Sequence, residues 1–316
     1  MDEAPPAFPF VDASVLECIS DAHAEFFRQN GLLVLRNVLC TAELAELQRE
    51  TGALVAGAVV GRPDDPDYRY ARHPDTGEAI PYRVEYVVDK AGSARTLLAH
   101  PFLLRTAEKL QGPGFVPTWD SMVFKAGGAG APIAWHRDGG LYPEEVSDLT
   151  RGRVFNVDIY LDRADRASCL WGLLGSNGWS EEEANATIAQ RNEGGVSTEG
   201  AVPLTMEAGD VIVHDVTVLH GSEATCGALR RVIYYEFRPL DVEEPLGPHT
   251  ADYLEAKQHV LAAAIRHRTG ASYARDETPF DYAPRGISAS EVGEWSDDPP
   301  TWRYPHEDFW RWAVAQ

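Results

Sequence analysis

Residues 209–239 read GDVIVHDVTVLHGSEATCGALRRVIYYEFRP. The runs DVIVHDVTVLHG and RRVIYYEFRP are short, rich in β-branched and aromatic residues, and separated by a Gly-bearing turn. That pattern predicts strands rather than helices. Taken as an antiparallel pair turning near Cys226-Gly227, they put Ser222 opposite Arg231, with His220 on the same face as Ser222. In the second run Arg231, Ile233, Tyr235 and Phe237 share one face, a single charge among apolar groups. Arg230, Val232, Tyr234, Glu236 and Arg238 share the other, which reads as solvent-facing. A one-residue slip of register would exchange Arg231 for Arg230. A lone guanidinium on an inner face is costly without a partner, so Arg231 is expected to meet an anion inside the fold.

Similar runs lie upstream. From Trp119 onward TWDSMVFKA, RVFNVDIYLD and SCLWGLLG alternate with Gly-bearing turns, and the set predicts a mainly β core over 119–239, a sandwich or jelly-roll barrel. SEEEANATIAQRNEGG breaks the series, so 180–200 is expected to be a helical insertion at the barrel mouth. Residues 1–118 read mainly as helical support and lid. A helix over 13–29 places Val15, Ile19, Ala22 and Phe26 on one face and stops at Asn30-Gly31. LLVLRNVL reads as a short buried strand, Thr41 as the cap of a second helix, 61–80 as an exposed loop and 94–110 as a third helix. Residues 240–316 form an extension with one helix, TADYLEAKQHVLAAAIRHR, and a tail, EWSDDPPTWRYPHEDFWRW, carrying four of the eight tryptophans. So many aromatics are expected to pack back on the core. No internal repeat is visible, and 1–316 reads as a single domain.

Composition narrows the function. The 316 residues are 44% hydrophobic and 10% aromatic, enough for a sizeable core. A net charge of -21 argues against nucleic acid and anionic membranes as partners. Cys18, Cys40, Cys169 and Cys226 are far apart with no CxxC, as in a reduced intracellular protein. The acidic N-terminus MDEAPPAFPF lacks the apolar run of a signal peptide, and no stretch of 18 apolar residues is present, so a cytoplasmic protein is expected.

The chemistry starts at APIAWHRDGG, residues 131–140. In an extended segment i and i+2 share a face, so His136 and Asp138 can reach one ion while Arg137 points away. Alone, HxD is common and is more often an ordinary turn. One imidazole and one carboxylate need a third ligand to complete the 2-His-1-carboxylate triad of non-heme Fe(II) oxygenases, and His214 and His220 are the candidates.

The order of WHRDGG, then LHGS, then an arginine in LRRVIYYEF resembles the phytanoyl-CoA dioxygenase family of Fe(II)/2-oxoglutarate oxygenases. FFRQNGLLVLRNVL, FNVDIYLDRAD and LWGLLGSN extend the likeness over roughly residues 20–240. The resemblance implies a double-stranded β-helix, the cupin-like jelly roll, with iron on His136, Asp138 and His220. It implies 2-oxoglutarate on Arg231 assisted by Ser222, with Asn156 as a further cosubstrate contact, and O2 as oxidant, with succinate and CO2 as co-products. The family's usual Pro-Gly-Ser-His is here Leu174-Gly175-Ser176-Asn177, which puts the remaining cosubstrate contacts in question. Arg83 and Tyr86, in PYRVEYVV, are candidate substrate contacts, because relatives use N-terminal segments as lids. Hydroxylation of a small organic molecule in specialised metabolism is the favoured activity. The alternatives are a non-catalytic jelly-roll binder of a small molecule, or a cupin-like metal enzyme that does not use 2-oxoglutarate.

Overall fold

The computed structural model describes residues 10–282, apart from 63, 73–75, 128–129, 139–141, 143–145 and 226. The tryptophan-rich tail expected to pack back on the core lies outside the described residues, as does Cys226. In chain order the elements are β1 (Phe10–Asp12), α1 (Asp21–Asn30), β2 (Leu32–Arg36), α2 (Thr41–Val60), β3 (Tyr68–Arg72), β4 (Ala79–Glu85), α3 (Val87–Lys90), α4 (Gly92–Leu98), α5 (Pro101–Gln111), β5 (Phe115–Lys125), β6 (Ile133–His136), α6 (Ser147–Thr150), β7 (Phe155–Tyr160), β8 (Leu170–Gly172), α7 (Glu181–Asn192), β9 (Val202–Leu204), β10 (Val211–Asp215), β11 (His220–Ser222), β12 (Arg230–Pro239), α8 (Leu240–Leu246) and α9 (Ala251–Arg268).

Local chemistry moves several predicted boundaries. The first helix begins at Asp21, not residue 13. Ser20 Oγ accepts the His23 amide (3.2 Å) and His23 Nδ1 accepts the Ser20 amide (3.3 Å), a reciprocal cap that fixes the start. Val15 lies before it in a short 3-10 turn and is exposed. Gly31, at φ 74°, ends the helix in the left-handed region, and a Cβ there would come within 2.9 Å of Asn177. The predicted third helix is two, α4 and α5, because Pro101 cannot continue a preceding helix and instead opens a new one. The segment 61–80 is not only loop: β3 and the start of β4 pair there. α7 forms in the predicted insertion, and α9 where the C-terminal helix was expected.

The strands make a double-stranded β-helix. An eight-stranded sheet runs β1-β2-β10-β7-β12-β5-β4-β3, and a four-stranded sheet runs β6-β11-β8-β9. Strands from the first 118 residues thus extend both edges of the larger sheet. One buried cluster fills the space between this sheet and the helices, with Leu33, Phe124, Val157, Ile233, Tyr235 and Phe237 beside Leu47, Leu97 and Leu261. A second fills the space between the two sheets, with Leu32, Tyr160, Ile212 and Val232 beside Trp135, Trp171 and Val218.

This layering corrects the reading of β12. The strand does not pair with β11. It pairs with β5 and β7, while β11 pairs with β6 and β8 in the other sheet. The chain switches sheets between Ser222 and Arg230, so Ser222 and Arg231 are not opposite each other. Ile233, Tyr235 and Phe237 face the helices, and Val232 and Tyr234 face the barrel interior.

Candidate functional site

β6 and β11 are antiparallel neighbours with His136 and His220 directly opposed. Opposed residues on one face bring their side chains together, and the two rings lie 4.2 Å apart between centroids. Asp138 follows the end of β6 and turns its carboxylate back. Its Oδ1 is 3.2 Å from His136 Nε2 and 3.9 Å from His220 Nε2. One ligand atom from each of the three residues lies within 4.8 Å of the others.

Each ring is oriented by the backbone. His136 Nδ1 is 2.9 Å from the Ala134 carbonyl, and His220 Nδ1 is 3.0 Å from that of Val218. A carbonyl only accepts, so both rings donate Nδ1–H there and turn the Nε2 lone pair toward the shared space. Burial, reinforced by the neighbouring His136, pushes His220 down to about 3, so its ring is neutral. Burial pushes the Asp138 carboxyl up, but His220, His136 and His214 outweigh it and hold the group well below the usual carboxylate range. Two imidazoles and a carboxylate with free donor atoms on one point fit Fe(II).

His214, the other histidine candidate, sits behind this point. Its Nε2 is 2.9 Å from Asp138 Oδ2, and its Nδ1 is 2.8 Å from Asp158 Oδ2. Asn156, expected on the cosubstrate, donates Nδ2 to the same Asp138 Oδ2 at 2.8 Å and lines the cavity beside the cluster.

A cavity of about 440 Å³ opens on the cluster. Its lining also includes Tyr82, Arg83, Trp119, Tyr234, Glu236 and His249. Arg83, expected at the substrate, is there, with Nε 3.1 Å from Glu85 and a 3.0 Å bond to Ser121 Oγ. Tyr86, also expected there, does not line the cavity; it is buried with its ring 5.5 Å from that of Trp119 and supports the wall. Glu236 Oε1 accepts from Thr118 Oγ1 (2.6 Å) and Arg238 Nε (2.8 Å). Tyr82, Trp119, Tyr234, Glu236 and His249 were not expected from sequence. For Tyr234 and Glu236 the missed signal was the alternation of β12, read with the wrong face inward.

The same error applies to the arginines. Arg231 leaves the barrel interior. Its Nε and Nη2 hold both oxygens of Asp162 at 2.8 and 2.7 Å, and its Nη1 donates to Gln48 O (2.7 Å) and Thr51 Oγ1 (3.2 Å) on α2. Its anion is therefore a residue of this chain. Arg230, read as solvent-facing, is 1% exposed. Its Nη1 donates to Ser168 O at 2.5 Å, and its buried Nε has no partner among the described residues. Lys125, its register partner on β5, is also buried. The Lys125 ammonium donates to Ser222 Oγ at 2.8 Å and to Glu223 O. Burial, then the charge of Arg230, push Lys125 down to about 7. Among the described residues, neither cation is ion-paired with a carboxylate. Two adjacent buried basic groups with no carboxylate ion pair among the described residues fit an anionic ligand, whose binding favours the charged form of Lys125.

The chain matches the phytanoyl-CoA dioxygenase (PhyH) family over residues 27–232. A search of curated proteins finds no match. Among solved structures it is similar to AviO1 from Streptomyces viridochromogenes Tue57, at 27% identity and a TM-score of 0.58, over 72% of this chain and 96% of that one. It is similar to EvdMO1 at 28% identity and a TM-score of 0.57, over 69% of this chain, and it spans about half of that protein, 49%. EctD from S. alaskensis, solved with 2-oxoglutarate and 5-hydroxyectoine, shares the fold at 23% identity and a TM-score of 0.54, over 71% of this chain and 77% of that one.

Proposed function

The chain belongs to the phytanoyl-CoA dioxygenase family of Fe(II)/2-oxoglutarate-dependent oxygenases, and from that premise we propose that His136, Asp138 and His220 hold the iron, that Arg230 and Lys125 with Ser222 anchor 2-oxoglutarate, and that the enzyme hydroxylates a small organic molecule of specialised metabolism. One observation supports the reading: behind the three-donor cluster, Arg230 lies on the inter-sheet face of β12 beside Lys125, which bonds Ser222 of β11, and among the described residues neither basic group is ion-paired with a carboxylate.

The bound iron, with 2-oxoglutarate and O2, supplies the oxidising chemistry, and succinate and CO2 are its co-products. The chain's own residues supply geometry. Ser222 stands two residues beyond His220 on β11, roughly 7 Å at about 3.4 Å per residue, a span that a five-carbon diacid bridges. Lys125 and Arg230 offer the donors at the distal end, where a dry interior strengthens a charge-assisted bond. Tyr82, Trp119 and Tyr234 provide apolar faces that exclude water, while Arg83 and Glu236 offer one donor and one acceptor wall to orient a substrate. The unpaired thiols of Cys18, Cys40 and Cys169 suit a reducing cytoplasm. Among the described residues no helix is long and apolar enough to cross a membrane.

The test is a panel of small organic molecules assayed for stimulated succinate formation, with product mass recorded. A product heavier by one oxygen atom is expected. Loss of two hydrogens instead would replace hydroxylation by desaturation or ring closure. Absence of both iron binding and 2-oxoglutarate turnover would return the protein to a non-catalytic binder.

A further inference from the structure

We propose that His214, backed by Asp158, is a positioning residue that holds Oδ2 of Asp138 so that Oδ1 alone faces the metal. The proposal rests on the assignment of His136, Asp138 and His220 as iron ligands.

The two oxygens of Asp138 have different surroundings. Oδ1 faces His136 and His220. Oδ2 accepts from His214 Nε2 at 2.9 Å and from Asn156 Nδ2 at 2.8 Å. An oxygen that already accepts two bonds has little lone-pair capacity left for a metal. Without those donors the carboxylate is free to turn and chelate through both oxygens, which would fill a position that cosubstrate or O2 needs.

His214 is built to do this and nothing nearer the metal. Its Nδ1 is held by Asp158 and its Nε2 by Asp138 Oδ2, with Asn156 Nδ2 also 3.2 Å from Nε2, so both ring nitrogens are engaged by side chains of this chain and neither is turned toward the space shared by His136 and His220. The far nitrogen is fixed to Asp158, and both side chains are fully buried, so water does not compete. Register sets the aim: His214 on β10 is directly opposite Asn156 on β7, which places the two donors to Oδ2 side by side.

The test is a Co(II) titration of the metal-free full chain, reading affinity and the visible absorption of bound cobalt, whose intensity reports coordination number. Thermal unfolding of each metal-free variant shows that it is folded. His214→Phe should weaken Co(II) binding about ten- to a hundredfold, as loss of a group that orients a ligand typically does, and should change the cobalt spectrum. His214→Gln, whose amide can still donate to Oδ2, should recover most of both. Asp158→Asn should fall between, and it decides the matter if His214→Phe does not fold. Wild-type affinity and an unchanged spectrum in a folded His214→Phe or Asp158→Asn protein would overturn the proposal. So would a loss that His214→Gln does not recover, since that reduces the ring to packing. His136→Ala separates the two claims: if it binds Co(II) as the unmodified chain does, the ligand assignment is at fault and not the positioning role.

Discussion

Arg230 and Arg231 are chain neighbours with opposite surroundings, and single substitutions should separate them. Arg231 is saturated by Asp162 and α2. Arg231→Ala strands a carboxylate beneath a helix, and breaking a buried pair from one side costs about 3–5 kcal/mol. We expect that loss in urea unfolding, with 2-oxoglutarate affinity close to the unmodified protein. Arg230 has a carbonyl and, among the described residues, an unpartnered Nε, beside a second buried basic group, Lys125. Arg230→Ala should leave the metal-free protein as stable as before, since it removes a buried repulsion along with one hydrogen bond. Each charge-assisted bond lost to 2-oxoglutarate should cost about 1.5–3 kcal/mol, roughly tenfold to a hundredfold in affinity. A 2-oxoglutarate titration of the two iron-loaded variants checks this. A cosubstrate defect confined to Arg231→Ala would return the anchor to the other face of β12.

At the scale of elements, β12 shows what the sequence can and cannot convey. The strand runs themselves are legible, because β-branched residues and Gly-bearing turns are local signals. The HxD spacing marks His136 and Asp138 as a candidate pair, but their convergence comes from the bend after β6, where Asp138 has left the strand and turns its carboxylate back. The inward face of β12 is not legible. Helices cover one side and the smaller sheet the other, so both faces are buried and polar alternation no longer marks water. The short link from β11 to β12 reads as a hairpin, yet it crosses between sheets, and no turn residue announces that. The correct face places Lys125 beside Arg230, which has a pH consequence. Lys125 is pushed from 10.5 down to about 7 by burial and Arg230, and Glu223 and the Cys169 thiol are the other titratable groups near it. The ammonium is present below about pH 7 and is lost from the empty pocket above it. A bound carboxylate favours the charged form, so binding above that pH must take up a proton. 2-Oxoglutarate affinity should therefore decline as pH rises from about 7 toward 10, and Lys125→Met should bind more weakly at pH 6 with the decline flattened. Isothermal titration at several pH values, in buffers of different ionisation heat, reads both the affinity and the proton uptake. An affinity equally steep in pH for Lys125→Met would remove Lys125 from the cosubstrate site.

Across the whole molecule, the helices are tied to each other as well as to the sheet, and the tie decides how many metal ions the chain should hold. Arg268, near the end of α9, is buried between Glu43 of α2 and Glu277. It makes bonds of 2.6 and 3.1 Å to the first and 2.7 Å to each oxygen of the second. Glu43, His100 and Glu277 are close enough together to resemble a second three-donor cluster. The guanidinium, however, already occupies both carboxylates, and a fork of five donors satisfies them more completely than a bare cation would. Iron should therefore bind at one equivalent per chain, lost in His220→Ala and kept in Glu43→Gln. The lock itself should matter to stability. Burial pushes the Glu43 carboxyl up, and Arg268 acts against that. Removing the guanidinium leaves Glu43 buried and unpaired, at about 3–5 kcal/mol. Arg268→Ala should unfold at markedly lower urea, while Arg268→Ala combined with Glu43→Gln should regain part of the loss, because no uncompensated charge remains on α2. Metal affinity of the folded protein should be the same in all three, since the lock lies on the helical side of the large sheet. If iron analysis instead gave two equivalents in the unmodified chain, or if Arg268→Ala were as stable as its parent, the cluster around Glu43 would be a ligand site and not a strut.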